Sequence, residues 1–416
     1  MENPVGEDRT QKAGLWAAVA AVTGAQAFVT MAMLALATVA PSAAPDFGLP
    51  PKAVGWQVGL IYAAAAASSA AAGGIAQRFG AGSTSLAALA LAALGMIGLA
   101  TASPAVAAAA SVLIGASYGL TNPSASLVLQ RVAPPERRSV VFSIKQTGVP
   151  LGGVAAGLLL PPLAALFGWR AAVAACALLA LPVARSILAQ RAGWDAERRP
   201  ARIGVADAAS GLRETLAEPR LRGIAGMAFG YAAMQLCLMS FAVAMLVEEH
   251  GWSLVAAGAA LSLLQATGAG ARIFWGWVAD RAGRGAIVLA ALGAGSTLSA
   301  FGTAALGSEA SDAATLGLLI LFAATAIGWN GVFLAEIARV AGPRSVGRAT
   351  GAVMTVTFLG VMIGPALFTG LHALLGGYGP AFAAMAAATA LGAASITRTL
   401  RAEPLDDALS RDAPLR

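Results

Sequence analysis

The segment Gly270-Ala271-Arg272-Ile273-Phe274-Trp275-Gly276-Trp277-Val278-Ala279-Asp280-Arg281-Ala282-Gly283-Arg284 joins two unlike pieces. It begins as the end of an apolar helix carrying one arginine, Arg272. It finishes as a charged tight turn, Gly276-x-x-x-Asp280-Arg281-x-Gly283-Arg284, between two long apolar runs. The helix from Arg272 to Asp280 rises roughly 12 Å at about 1.5 Å per residue. With the turn at a membrane surface, Arg272 falls inside the hydrocarbon, where a cation is expensive and usually functional.

Composition supports that premise. Of 416 residues, 58% are hydrophobic and 11% charged, against about 25% charged in a soluble protein. That is too few to coat a water-exposed surface of this size, so the chain is read as an integral membrane protein. Its alanine and glycine suit helices packed through small residues in lipid. The net charge of +7 does not point to nucleic acid, because the basic residues cluster in short loops without aromatic interleaving. Cys176 and Cys237 both fall in apolar runs and make neither a disulfide framework nor a zinc site. The first apolar run is too long for a signal-peptide core and is read as a retained membrane helix.

Apolar runs of about 20 residues, the length that crosses a bilayer core, recur near 15–40, 54–76, 83–102, 105–130, 140–166, 171–189, 223–247, 254–278, 285–305, 314–337, 348–374 and 380–397. The expectation is an all-α membrane protein of twelve transmembrane helices. Under this count Arg9, Lys12, Arg78, Arg131, Arg137, Arg138, the 190–222 cluster, Arg281, Arg284, Arg339, Arg344, Arg348, Arg398 and Arg401 share one side. The other side holds Lys52 and Arg170. The positive-inside rule then places both termini in the cytoplasm of a multi-pass protein of a cell inner membrane.

The polar stretch 190–222 divides the chain into 1–189 and 223–416, each with six runs. The halves repeat weakly. Gly73 to Gly80 follows the second run as Gly276 to Gly283 follows the eighth. Gln130-Arg131-Val132-Ala133-Pro134-Pro135 answers Ala338-Arg339-Val340-Ala341-Gly342-Pro343, and Gly148-x-x-x-Gly152 answers Gly360-x-x-x-Gly364. Two pseudo-symmetric six-helix bundles suggest alternating access around a midplane site.

On these motifs and the 6+6 layout with a basic central loop, the chain resembles the major facilitator superfamily over essentially its whole length. The eighth-run segment Arg272-x-x-x-Gly276-x-x-x-Asp280 looks like the branch that moves small carboxylates, the monocarboxylate and oxalate/formate-type carriers. That resemblance implies that Arg272 meets a substrate carboxylate and that the fifth and eighth helices face each other across the cavity. It also implies a gate in which Asp280, with Arg281, Gly276 and Gly283, locks one state. The chain departs from the pattern in three ways: no lysine in the first or eleventh run, Ser111 where many proton-coupled relatives have arginine, and Gln77 in place of the first loop's acid.

Of the 27 basic residues, Lys145 and Arg272 lie well inside spans. Lys145 is roughly 10 Å past Arg138 along a helix. No deep carboxylate neutralises either, and a cavity with excess positive charge attracts an anion, which a guanidinium grips through two parallel hydrogen bonds. The alternative is snorkelling to the headgroups. Ser262, Gln265, Ala269, Arg272 and Gly276 form one small and polar stripe. Asn122, Asn330 and Tyr231 join Arg272, Lys145 and Gln265 as substrate-site candidates; Asn122 and Asn330 occupy repeat-related positions. Gln26, Thr30, Tyr118, Gln235 and Trp329 read as interhelical hydrogen-bonding groups. Pro150 frees a backbone carbonyl that neighbours must satisfy.

The expected function is a secondary transporter of a small organic anion, with a drug or metabolite efflux transporter as the alternative. Efflux would predict an acid in the first or fourth run and a broad aromatic pocket. No nucleophile–base pair or metal cluster marks an enzyme, and no cofactor or nucleic acid is expected. Partners are the anion and the lipid bilayer, and the chain is expected to work as a monomer.

Overall fold

A computed structural model describes residues 4–48, 54–201, 203–307 and 310–401. Lys52 lies outside the described residues. Twelve long helices run through the chain. The first six are α1 (Pro4–Thr38), α2 (Val54–Phe79), α3 (Ala81–Leu99), α4 (Pro104–Val132), α5 in two pieces (Arg138–Gln146 and Gly148–Phe167) and α6 in two pieces (Trp169–Ala177 and Ala180–Leu188). The second six are α7 (Pro219–Glu248), α8 (Leu254–Ala282), α9 (Gly285–Leu306), α10 (Asp312–Ala326 and 330–341), α11 (343–375) and α12 (Tyr378–Arg401). Gly342, at φ 70°, makes the turn that separates α10 from α11.

Ten segments among the described residues are long and apolar enough to cross a membrane. One of them, Asp312–Leu375, is α10 and α11 taken together. The 29-residue α8, which carries Gln265, Arg272 and Asp280, completes the twelve spans. Large apolar side chains face outward along these helices, Leu374 at 79% and Leu166 at 74% exposed. Water would penalise such a surface; lipid accepts it.

The two sets of six pack alike. In the first, α4 lies against α2 and α3, and α1 against α4 and α5; in the second, α10 lies against α8 and α9, and α7 against α11 and α12. Between the sets, α2 meets α11 and α8 meets the first piece of α5, which are pseudo-equivalent contacts. These crossings need small residues. A Cβ on Gly276 would stand 2.9 Å from Ser139 O on α5, and one on Gly73 would stand 2.8 Å from Gly347 C on α11.

The central stretch is partly tied down. Asp195 caps the start of α3, accepting from Gly82 N at 2.8 Å, Ser83 N at 3.2 Å and Ser83 Oγ at 2.5 Å. A helix over Val205–Ala217 then lies against α2, α7 and α11. The arginine-rich helix ends gather on this face, called the basic face below. On the opposite face Arg170 and Trp169 both bond Asp46.

Candidate functional site

Pro150 has no N–H, so the carbonyl of Gln146, one helical turn earlier, loses its usual donor. Arg272 replaces it. Its Nη1 donates to Gln146 O at 2.7 Å, and its Nε donates to Ile327 O at 3.3 Å, in the break between the pieces of α10. One guanidinium thus spans interruptions in two helices from opposite halves. Arg272 is 3% exposed.

Lys145, fully buried, uses the three donors of its ammonium group. Nζ donates to Gln26 Oε1 at 2.7 Å, to Gln146 Oε1 at 3.1 Å and to Asn122 Oδ1. This geometry leaves no room for snorkelling, since the head group is held by α1 and α4. Across the interface, Gln235 Oε1 accepts from Trp329 Nε1 and Asn330 Nδ2, both at 3.0 Å, and Asn330 Nδ2 also reaches Ile327 O at 3.1 Å. Gln26 and Gln235 sit on the pseudo-equivalent α1 and α7, and Asn122 and Asn330 on α4 and α10. The halves therefore supply matching amide pairs, and the cations on α5 and α8 break that symmetry.

Among the described residues neither cation forms an ion pair. Neutral oxygens take all three N–H groups of Lys145 but only two of the five on Arg272, and they leave two positive charges uncancelled inside the helix bundle, a costly arrangement without an anion. An aromatic group of Tyr62, Tyr118 and Phe358, with centroids 5.4 to 6.2 Å apart, borders Asn122 and joins α2, α4 and α11.

The remaining sequence candidates stand apart. The Tyr231 hydroxyl donates to Leu289 O on α9 at 2.8 Å, within the second bundle. Gln265 is exposed, roughly 10 Å along α8 from Arg272. Gln146, whose carbonyl Arg272 bonds, is not among the candidates the sequence offers. The visible signal was Pro150, four positions on, which marks the carbonyl of Gln146 as unpaired.

Asp280 sits at the end of α8 and caps the start of α5, where free N–H groups and the helix dipole favour a carboxylate. Its two oxygens accept from Ser139 N and Val140 N, each at 2.8 Å. Gly283, at φ 63°, ends α8 in the left-handed region, and Arg281 stacks 4.7 Å from the centre of the Trp277 ring. At the equivalent place in the other half, Gln77 Nε2 donates to Arg344 O at 3.3 Å. Hydrogen bonds that join the helices of the two halves among the described residues run from the midplane, as Thr355 Oγ1 to Ala66 O, to the basic face. The halves are joined on that side.

Two six-helix bundles related by pseudo-symmetry, closed on one side of a polar midplane cluster, define a multi-pass membrane transporter. The family model of the Major Facilitator Superfamily matches residues 22–365, and the chain belongs to that superfamily. An uncharacterized MFS-type transporter of Mycobacterium tuberculosis (strain CDC 1551 / Oshkosh) is 29% identical over 267 residues, covering 62% of this chain and 56% of that protein. The matched part thus spans little more than half the length of that relative. The structure of the human organic anion transporter MFSD10 (TETRAN) aligns with a TM-score of 0.74 at 19% identity, covering 92% of this chain and 99% of that one. The transporter FucP in the outward conformation aligns with a TM-score of 0.70 at 17% identity, covering 93% and 99%.

Proposed function

We infer that this chain is a secondary transporter of a small organic anion, a carboxylate in the first instance, working by alternating access. The observation that supports this is the pair of buried cations, Arg272 and Lys145, with no ion-pair partner among the described residues. Arg272 is the principal ligand and Lys145 the second, with Asn122 and Asn330 completing the shell. The likeness of α8 to the small-carboxylate branch agrees with this. Structures of the same fold include proton symporters of fucose and of xylose and an organic anion transporter, so the fold itself does not choose the cargo. The basic face is cytoplasmic, with both termini and the 190–222 segment on that side, and the halves 1–189 and 223–416 move as bodies. Asp280 holds the cytoplasmic side closed.

Among the described residues no carboxylate or histidine stands in the polar cluster, which favours exchange of one anion for another over proton symport. The test is counterflow in proteoliposomes with a panel of labelled carboxylates. Preloading with the unlabelled anion stimulates labelled uptake, and a pH gradient alone does not. Transport of neutral sugars but of no anion overturns the reading of the cargo; strong proton-driven accumulation without internal anion overturns that of the coupling.

A further inference from the structure

A cavity of about 370 Å³ opens on the basic face, between the ends of α2 and α4, the 194–200 segment and the start of α11. Four arginines line it, Arg131, Arg198, Arg199 and Arg344, with Glu197 as the one acid. Glu197 pairs with Arg131 at 3.1 Å, and Arg198 Nε is held by Asp195 O. The guanidinium groups of Arg199 and Arg344 bond no described residue, and both are exposed. An excess of three positive charges around one cavity is self-repelling, and guanidinium forks match phosphate oxygens two at a time. The cavity opens at the helix ends of the basic face, the face that the positive-inside rule turns towards anionic headgroups.

The cavity is also composite. Arg131 comes from the first bundle, Arg198 and Arg199 from the central stretch, and Arg344 from the second bundle. Gln77 ties these parts, its carbonyl accepting from Arg199 N at 2.9 Å and its Nε2 donating to Arg344 O at 3.3 Å. Parting the bundles on this face would carry Arg344 away from the other three.

We propose that this cavity binds a phosphate-bearing anion, either a lipid headgroup or a soluble phosphate, and that its occupancy holds the basic face closed. A ligand that needs both bundles binds the joined state better and shifts the equilibrium towards it. The site is independent of the cargo site, which lies in the midplane cluster, but its effect on state rests on alternating access.

The test uses the full chain with Cys176→Ala, Cys237→Ala and Ser143→Cys. Ser143 is fully buried between Gly276 and Gly331 of the other half and outside the cavity, so alkylation there reports parting of the bundles and not direct shielding. Labelling is compared in phosphatidylcholine vesicles with and without cardiolipin, and in neutral detergent with and without inorganic pyrophosphate at matched ionic strength. The anion slows labelling about tenfold, the shift expected for a typical coupling between sites. Arg199→Gln with Arg344→Gln abolishes that protection, whereas Arg213→Gln, an exposed arginine outside the cavity, preserves it. Protection by cardiolipin alone assigns the ligand to a headgroup; protection by pyrophosphate as well admits a soluble phosphate. The proposal is overturned if neither anion slows labelling, or if the double variant is protected as well as the parent. A thiol that reacts only after denaturation refutes alternating access instead, a separate outcome.

Discussion

Asp280→Asn tests the gate most directly. The carboxylate accepts two backbone N–H bonds at 2.8 Å from Ser139 and Val140, and it does so only while α8 and α5 are together. A hydrogen bond to a charged group contributes about 1.5–3 kcal/mol. Asparagine keeps one oxygen, so one bond survives in neutral form, and its amide N–H faces the second backbone N–H. The joined state therefore loses about 2–3 kcal/mol and the parted state loses almost nothing. At about 1.36 kcal/mol per factor of ten, the parted population rises roughly 30- to 150-fold. The Ser143→Cys thiol, buried beneath this contact, reads the change as a faster alkylation rate. A rate equal to the parent's would show that Asp280 contributes the same in both states, and the gating role would fall. Gln77→Ala should move the rate far less, because its bond to Arg344 O is neutral, longer and exposed.

Arg272→Lys should lower anion exchange by about a hundredfold, because an ammonium cannot make the two-pronged grip, whereas Lys145→Arg keeps measurable exchange; equal loss in both variants would refute the division of roles. Pro150→Ala restores an N–H that competes for Gln146 O, and an unchanged Ser143→Cys labelling rate would mean that the Arg272 bond carries no weight between the halves. Asp195→Ala should cost about 1–3 kcal/mol by uncapping α3 and lower the melting temperature in detergent, with transport per folded molecule unchanged. Single cysteines at Ala44 and Ala206, without Cys176 and Cys237, should label from opposite sides of the membrane; labelling of both from outside would overturn the orientation.

The fold was legible because two coarse signals agree. Runs long enough to span a bilayer set the helices, and arginines confined to alternate loops mark the helix ends that gather on one face. Even the short α10–α11 turn was visible in Ala341-Gly342-Pro343. The site was legible only in part. Depth along a helix follows from counting, so Lys145 and Arg272 could be placed near one level. Which neighbour each side chain meets depends on helix rotation and on interruptions, and small-residue helices constrain rotation weakly. Tyr231, a polar candidate on α7, turns its hydroxyl to α9. The two cations were expected to stand unpaired in a cavity; they are instead held by amides and carbonyls. For Arg272 the reason lies in the broken helices α5 and α10, whose freed carbonyls it bonds; for Lys145 it lies in helix rotation, which turns Gln26 and Asn122 towards it.

The carbonyl orphaned by Pro150 also bears on leakage. Arg272 crosses from one half to reach Gln146 in the other, so moving the halves apart at this level strands both an acceptor and a charge. On this view the proline that orphans the carbonyl acts as a brake on parting of the halves at this level.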